Sequence, residues 1–141
     1  MLELENLTVR YGTITAVKSV SLNVNEGEIV ALIGPNRAGK TSTFAAIRGL
    51  ASIAGGSVSY QQRDLGRLAT ERIVRQGITL VPEHRRLFKD LTVRENLRIG
   101  ATARKNKSNI NSGIDELFNL FPILRERSEQ KAGYLSGGEA Q

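Results

Sequence analysis

Hydrophobic residues alternate with polar ones over the first part of the chain. The apolar positions fall into two roughly period-two sets: Leu2, Leu4, Leu7 and Val9, then Ala16, Val17, Val20, Leu22 and Val24. A turn at Tyr11-Gly12-Thr13 separates the two sets. Successive side chains of a strand point to opposite faces, so this pattern predicts antiparallel strands with one face in water.

The alternation stops at residue 28, and strand-like and helix-like segments then follow one another. The run at residues 28–33 predicts a strand covered on both faces, and the helical pattern after it should end near Gly49. The elements predicted next are a small-residue loop at 52–56, a short edge strand at 57–60, a helix at 67–75 and an apolar strand at 78–81 closed by Pro82. This order predicts an α/β fold.

The second half of the chain has a helical pattern. Thr92 and Glu95 have the spacing of a capping box and should open a helix. Residues 103–112 are polar and rich in turn formers, which predicts a mobile connection. The apolar residues after that connection fall on one helical face, which Pro122 should end: Ile114, Leu117, Phe118 and Phe121. We find no internal repeat in the sequence.

Composition and charge exclude several classes of protein. A chain of 141 residues with 40% hydrophobic residues is one globular domain, and no apolar run approaches the roughly 20 residues of a membrane span. The first residues lack the layout of a signal peptide, and the absence of cysteine excludes disulfides and thiolate sites. The net charge of +6 comes from scattered basic residues without interleaved aromatics, so we expect no nucleic-acid partner.

Residues 34–41, here called the phosphate loop, carry the clearest chemical motif. A glycine, four residues and then Gly-Lys-Thr lie between an apolar run and a helical pattern. Such a loop aims backbone N–H groups at an anion, Lys40 can reach phosphate as a point charge, and the Thr41 hydroxyl suits Mg²⁺. Gly39 lets the loop approach without a Cβ. The alternative is a Gly-rich turn that only joins a strand to a helix.

A second motif, Leu-Ser-Gly-Gly-Glu-Ala-Gln at residues 135–141, is here called the signature segment. An isolated Ser-Gly-Gly is an ordinary turn, but downstream of a phosphate loop it makes the chain resemble the ATP-binding cassette family. The resemblance runs from Tyr11 to the signature segment. Residues 80–88 and 91–97 resemble, within that family, the ATPase subunits of branched-chain amino-acid importers.

The resemblance implies a set of functional residues. It implies that ATP is bound by Tyr11, Val17, Gly34, Pro35, Asn36, Arg37, Ala38, Gly39, Lys40, Thr41, Ser42, Ser136, Gly137 and Gly138. Tyr11 stands where the family stacks an aromatic ring on adenine, although an aromatic beside a turn glycine is also common as edge packing. Glu83 stands where the family senses Mg²⁺ and the γ-phosphate and contacts the membrane subunit, so Lys40 and Glu83 are the implied catalytic residues, and Thr41 and Glu83 the implied metal ligands.

The resemblance also implies an architecture and partners. The expected fold is a P-loop ATPase core with an antiparallel β part at residues 1–30, a nucleotide-binding core at 31–83 and a helical subdomain at 84–141, incomplete at the C-terminus. The Ser-Gly-Gly of the signature segment offers donors for another subunit's ATP, so a second ATP-binding subunit, the same or different, is expected. Membrane-spanning permease subunits would place the protein in the cytoplasm, on the inner face of the cell membrane.

Four departures from the family pattern affect these expectations. The family usually has glycine at position 37. If the loop needs a positive φ there, the Arg37 backbone is strained by about 1–2 kcal/mol. The positive charge of Arg37 can offset this strain by approaching phosphate. We expect the backbone strain to outweigh the attraction of the charge for phosphate, so Arg37→Gly should raise ATP affinity. Glu139 replaces the usual glutamine. A strand ending in Asp-Glu and a switch histidine are missing, and His84 reads as a solvated loop residue.

Three functions therefore remain open. The first is an ATPase subunit, or part of one, that powers an importer of hydrophobic amino acids. The second is a nucleotide-binding or membrane-subunit-docking module without turnover, because the chain reads as truncated after Gln141. The sheet would then lack a strand, which would leave apolar surface exposed. The third is a DNA-repair or chromosome-organising ATPase, but those place a long coiled coil between the two motifs.

Overall fold

The computed structural model describes residues 1–83, 86–103 and 109–141. The chain divides into two compact units, residues 1–79 and residues 80–141, and each is described by itself. This boundary lies near the predicted one between residues 83 and 84. The predicted division into three parts remains a prediction. His84, predicted to be a solvated loop residue, lies outside the described residues.

The first unit is built on a four-stranded antiparallel sheet. Its strands are β1 (Leu2–Tyr11), β2 (Ile14–Val24), β3 (Ile53–Tyr60) and β4 (Arg63–Asp64), in the order β2-β1-β3-β4. The register sets Leu4 opposite both Leu22 and Val58, which brings apolar residues of three strands together on one face. The alternation in the sequence therefore predicted β1 and β2 correctly.

Strand β3 is longer than predicted and does not lie at the edge of the sheet, because β4 pairs with it. Residues 53–56, predicted to be part of a loop, belong to this strand. A Cβ at Gly56, whose φ is +75°, would collide with the backbone of Glu5 and Asn6 on β1. The small residues that suggested a loop thus permit two strands to approach closely.

Two helices cover the apolar face of the sheet. α1 (Lys40–Ile47) ends as predicted, with Gly49 at a φ of +69°, and α2 (Thr70–Val74) is shorter than the predicted helix at 67–75. The Thr70 hydroxyl donates to the Arg48 carbonyl oxygen at 3.0 Å, which ties the start of α2 to the end of α1. The core consists of Leu4, Leu7, Val9, Val17, Ala46, Ile47, Ala51, Val58, Leu65 and Ile73.

The two strands predicted at residues 28–33 and 78–81 do not form in the described chain. Residues 28–33 and 78–81 have no strand assignment. Ile29 is 97% exposed, Ile33 90% and Val81 72%. An apolar run becomes a buried strand only when a neighbour satisfies its backbone and covers its side chains, and within the described residues no strand pairs with either run. The prediction of an α/β fold is nevertheless confirmed, since helices pack on a sheet.

The second unit is helical, as predicted. It contains α3 (Val93–Ala101), α4 (Ile110–Leu120), α5 (Pro122–Glu126) and a 3₁₀ turn at Ala132–Tyr134. The capping box is confirmed: Thr92 Oγ1 accepts from the Glu95 N–H at 3.1 Å, and the Thr92 N–H donates to the Glu95 carboxylate at 2.7 Å. None of the described helices is long and apolar enough to cross a membrane.

The predicted apolar face of α4 is only half buried. Ile114 and Phe118 are each 2% exposed, whereas Phe121 is 54% exposed. The guanidinium groups of Arg94 and Arg125 lie 5.2 and 5.9 Å from the centre of the Phe118 ring, close enough for cation–π contact. Residues 104–108 of the predicted connection at 103–112 lie outside the described part. The end of the predicted connection is helical, because α4 begins at Ile110.

Candidate functional site

The phosphate loop joins the exposed run at 28–33 to the start of α1. The Ala38 N–H donates to the Pro35 carbonyl oxygen at 3.2 Å and closes a turn inside the loop. Two loop residues have left-handed backbones, Arg37 at a φ of +71° and Gly39 at +91°. The structure thus shows at position 37 the positive φ on which the expected strain depended.

Gly39 seats the loop against strand β2. A Cβ at this position would lie 2.5 Å from the Ala16 carbonyl oxygen and 3.1 Å from Val17 Cγ2. Backbone cannot move aside as a flexible side chain can, so only glycine fits here. Val17, one of the predicted nucleotide-binding residues, is 5% exposed, and its side chain supports the loop from the core side.

Lys40 is the first residue of α1, and its side chain folds back over the loop. Its Nζ donates to the carbonyl oxygens of Gly34 at 2.6 Å and Pro35 at 2.8 Å. These contacts hold a positive charge beside the N-terminus of α1, where the first backbone N–H groups have no partner within the helix. Cation and N–H groups are therefore brought together at one end of a helix, an arrangement suited to an anion.

Two hydroxyls follow the lysine and differ in their contacts. Thr43 Oγ1 donates to the Gly39 carbonyl oxygen at 3.0 Å and is buried, so it has a structural role. Thr41 is exposed, and its hydroxyl makes no hydrogen bond with the described residues. An exposed hydroxyl beside a lysine and a helix N-terminus fits a Mg²⁺ ion that keeps phosphate and water as its other ligands.

The described residues include no cluster of three or more His, Asp or Glu side chains able to hold a metal ion by themselves. Glu83, an expected Mg²⁺ and γ-phosphate sensor, is exposed in the second unit, and its role remains a prediction. Tyr11 ends β1, pairs with Ile14 across the turn and is 50% exposed. Its ring is thus accessible, as stacking on a base requires, and this role also remains a prediction.

The signature segment forms a tight turn in the second unit. The Ser136 N–H donates to Glu139 Oε2 at 2.8 Å, and the Glu139 N–H donates to Ser136 Oγ at 3.4 Å. Arg127 Nη2 also contacts Glu139 Oε1 at 3.1 Å. The backbone N–H and hydroxyl of Ser136, and then Arg127, hold the pKa of Glu139 below its usual value, so the carboxylate is charged at neutral pH.

The sequence did not identify Arg127 as a residue near the signature segment. A signal was present, because Ser136 and Glu139 have the Ser-x-x-Glu spacing of a capping box. In the sequence Glu139 stood out only as a departure from the family's usual glutamine. The spacing predicts the reciprocal hydrogen bonds that the structure contains, but not the partner from the end of α5.

With this geometry established, comparison with known proteins identifies the family. A family model described as ABC transporter matches residues 17–141, so the chain belongs to the ABC transporter family. The expected resemblance is confirmed.

Among the curated relatives is the high-affinity branched-chain amino acid transport ATP-binding protein BraG of Pseudomonas aeruginosa. It is 43% identical over 141 residues, which cover 100% of this chain and 60% of BraG. LivG of Salmonella typhimurium, described in the same words, is 40% identical over 114 residues, covering 81% of this chain and 44% of LivG. The chain thus spans at most about 60% of the length of these relatives.

Solved structures support the same family. One described as the ATP-binding subunit of an ABC transporter superposes with a TM-score of 0.85 at 30% identity, over 99% of this chain and 57% of that structure. The ADP conformation of MJ1267, an ATP-binding cassette of an ABC transporter, superposes with a TM-score of 0.78 at 27% identity, over 99% of this chain and 60% of that structure.

Proposed function

We propose that this chain is the ATP-binding part of an ATPase subunit that powers an importer of branched-chain amino acids. The observation that carries the proposal is the phosphate loop, in which Gly39 sits against β2 and the Lys40 ammonium lies over the loop beside the N-terminus of α1. The names of BraG and LivG supply the transported class of solute, which the loop itself does not specify.

In this proposal, the chain's own residues hold and orient the polyphosphate of ATP. The backbone N–H groups at the start of α1 donate to phosphate oxygens, and Lys40 exchanges its carbonyl contacts for a phosphate oxygen. Thr41 would hold Mg²⁺, with Glu83 as its sensor, and the ion would supply positive charge that neutralises phosphate. Tyr11 stacks on the adenine, and Ser136, Gly137 and Gly138 close over the nucleotide of a second ATP-binding subunit.

The partners follow from the same proposal. A second cassette completes each nucleotide site, and permease subunits couple the pair to solute movement at the inner face of the cell membrane. BraG and LivG are both named as transport ATP-binding proteins, which supports this part of the proposal. Glu83, which is exposed, is the residue we assign to the permease contact.

The test compares nucleotide binding by the chain and by two lysine variants. Lys40→Ala removes a cation at the anion site and should weaken ATP binding by about 1.5–3 kcal/mol, roughly ten- to a hundredfold. Lys18→Ala removes an exposed cation from β2 and serves as the matched control, with an effect below about threefold. Equal affinity of wild type and Lys40→Ala would contradict the assignment of the loop.

A second candidate function is nucleotide binding without turnover. Among the described residues, those that hydrogen-bond to the phosphate loop include no carboxylate that could activate water. Phosphate release from ATP, measured with wild type and Lys40→Ala in parallel, separates the two candidates. Turnover by the wild type that Lys40→Ala abolishes supports the ATPase; ATP binding with no phosphate release by the wild type supports the binding module.

A further inference from the structure

Glu139 closes the signature segment on itself. One of its carboxylate oxygens accepts the Ser136 N–H, and its own N–H is donated to Ser136 Oγ. The Ala140 N–H adds a bond to the Ser136 carbonyl oxygen at 3.0 Å. The Ser136 hydroxyl also interacts with the Glu139 carboxylate and, together with the Ser136 backbone N–H, helps to hold the pKa of Glu139 below its usual value.

The second carboxylate oxygen of Glu139 is held by Arg127, the residue that follows α5. In this ion pair the side chains of Arg127 and Glu139 are 37% and 17% exposed. The unit's other described ion pair, Arg94 with Glu129, is more open, with exposures of 39% and 77%. The Glu139 carboxylate is thus less exposed than that of Glu129, so water screens its ion pair less.

The position of this carboxylate creates an electrostatic problem for the proposed function. The Ser136 hydroxyl and the N–H groups of Gly137 and Gly138 are the donors expected to receive a polyphosphate, and Glu139 places a full negative charge in the same turn. Like charges at such short range disfavour binding unless a cation compensates. Of the described residues, Arg127 is the one whose guanidinium contacts that carboxylate.

We propose that Arg127 is a positioning residue for the signature segment: its guanidinium neutralises Glu139 and lets the Ser-Gly-Gly turn accept the nucleotide of a second copy of this chain. The inference rests on the proposed function, because it takes the signature segment as the second half of a nucleotide site. It assigns Arg127 no contact with the nucleotide.

A charge-rescue experiment tests the compensation. Arg127→Ala leaves Glu139 charged and should weaken the ATP-dependent association of two copies by roughly five- to tenfold, measured by analytical ultracentrifugation with Mg²⁺ and ATP. Glu139→Gln keeps an oxygen that accepts the Ser136 N–H without the charge. The double variant should therefore return to within about twofold of wild type. A residue that only braced the fold would not be rescued in this way.

Controls separate this inference from the proposed function. ATP affinity of the separate copies depends on the phosphate loop and should be the same in Arg127→Ala and wild type. Glu129→Gln removes the other ion pair of the unit and should leave association unchanged. If Arg127→Ala fails to give the wild-type circular dichroism spectrum, Arg127→Gln, which keeps a hydrogen-bonding side chain without the charge, replaces it.

Each outcome decides a specific point. Absence of ATP binding by the wild type rejects the proposed function itself. ATP binding without association, association that Arg127→Ala leaves intact, or a loss that Glu139→Gln does not restore each overturns the role of Arg127. Loss in Arg127→Ala with recovery in the double variant supports it.

Discussion

Replacing Arg37 by glycine is expected to tighten ATP binding. Arg37 has a φ of +71°, a conformation that costs a residue with a Cβ about 1–2 kcal/mol and costs glycine little. Its side chain is exposed and makes no hydrogen bond or ion pair with the described residues. The substitution thus removes a backbone penalty and one exposed positive charge, and it breaks no contact within the described structure.

The two effects have opposite signs, and their magnitudes decide the result. Strain at a binding loop lowers the population of the conformation that binds, and affinity falls in proportion. Relief of about 1–2 kcal/mol corresponds to at most roughly five- to thirtyfold tighter binding. Loss of an exposed cation near phosphate weakens binding by at most about 1 kcal/mol. The expected net change is a dissociation constant for ATP about two- to tenfold lower.

Calorimetric titration of ATP into the wild type, Arg37→Gly and Arg37→Ala measures the two terms separately. Alanine keeps the unfavourable φ and loses the charge, so Arg37→Ala should bind more weakly than wild type, and the difference should shrink at high salt. The difference between glycine and alanine at position 37 then reports the backbone term. Gly39→Ala is the opposite control, since its Cβ would lie 2.5 Å from the Ala16 carbonyl oxygen and should displace the loop and weaken binding.

Two results would refute the reasoning. The first is equal dissociation constants for wild type and Arg37→Gly together with higher thermal stability of the variant. That result would mean that the loop is fully formed before ATP binds and that the strain lowers only the stability of the folded chain. Equal affinity of the glycine and alanine variants would mean that the backbone conformation at position 37 does not matter.

Two further predictions concern other residues. Tyr11→Ala should weaken ATP binding by about 1–2 kcal/mol without loss of folding, because the ring is 50% exposed. Tyr134→Ala, which removes a 73% exposed ring from the other unit, is the control and should not change affinity. Unaltered binding by Tyr11→Ala would count against base stacking. The Thr92 N–H and hydroxyl hold the pKa of Glu95 below its ordinary value of 4.5. The stabilisation of the folded state by this contact is therefore complete above pH 4.5 and is lost as the pH falls through the lowered pKa. An acid titration followed by circular dichroism should show this loss in wild type and not in Glu95→Gln, and identical profiles would contradict it.

The elements that the sequence predicted well are those whose signal and cause are both local. β1 and β2 follow from alternation across a short turn, and the capping box at Thr92 joins residues three apart in the chain. The prediction that Pro122 ends α4 is confirmed, because proline has no N–H to continue the helix, but its place as the first residue of α5, which its fixed φ suits, was not predicted. Local chemistry was thus sufficient for strand alternation, caps and stops.

The predictions that failed are those that depended on distant partners. The run at residues 28–33 has the composition of a buried strand, but composition does not supply the neighbour that such a strand needs, and Ile29 and Ile33 are exposed. Gly56 suggested a loop because its close approach to β1 is invisible in the sequence. The contact of Arg127 with Glu139 likewise depends on how α5 is placed, which no local pattern specifies.

The exposed run at 28–33 and the strained residue at position 37 are connected through the phosphate loop. On its C-terminal side the loop is fixed, because Gly39 is seated on β2 and α1 packs on the core. On its N-terminal side it leaves a segment without strand pairing in the described structure, with Ile33 90% exposed just before Gly34. Backbone strain persists where the surroundings over-determine a conformation, and on this side the described contacts are hydrogen bonds within the loop itself, made by Lys40 and Ala38. The strain at Arg37 should therefore reduce the population of the binding-competent loop, which is why we expect its removal to change affinity as well as stability.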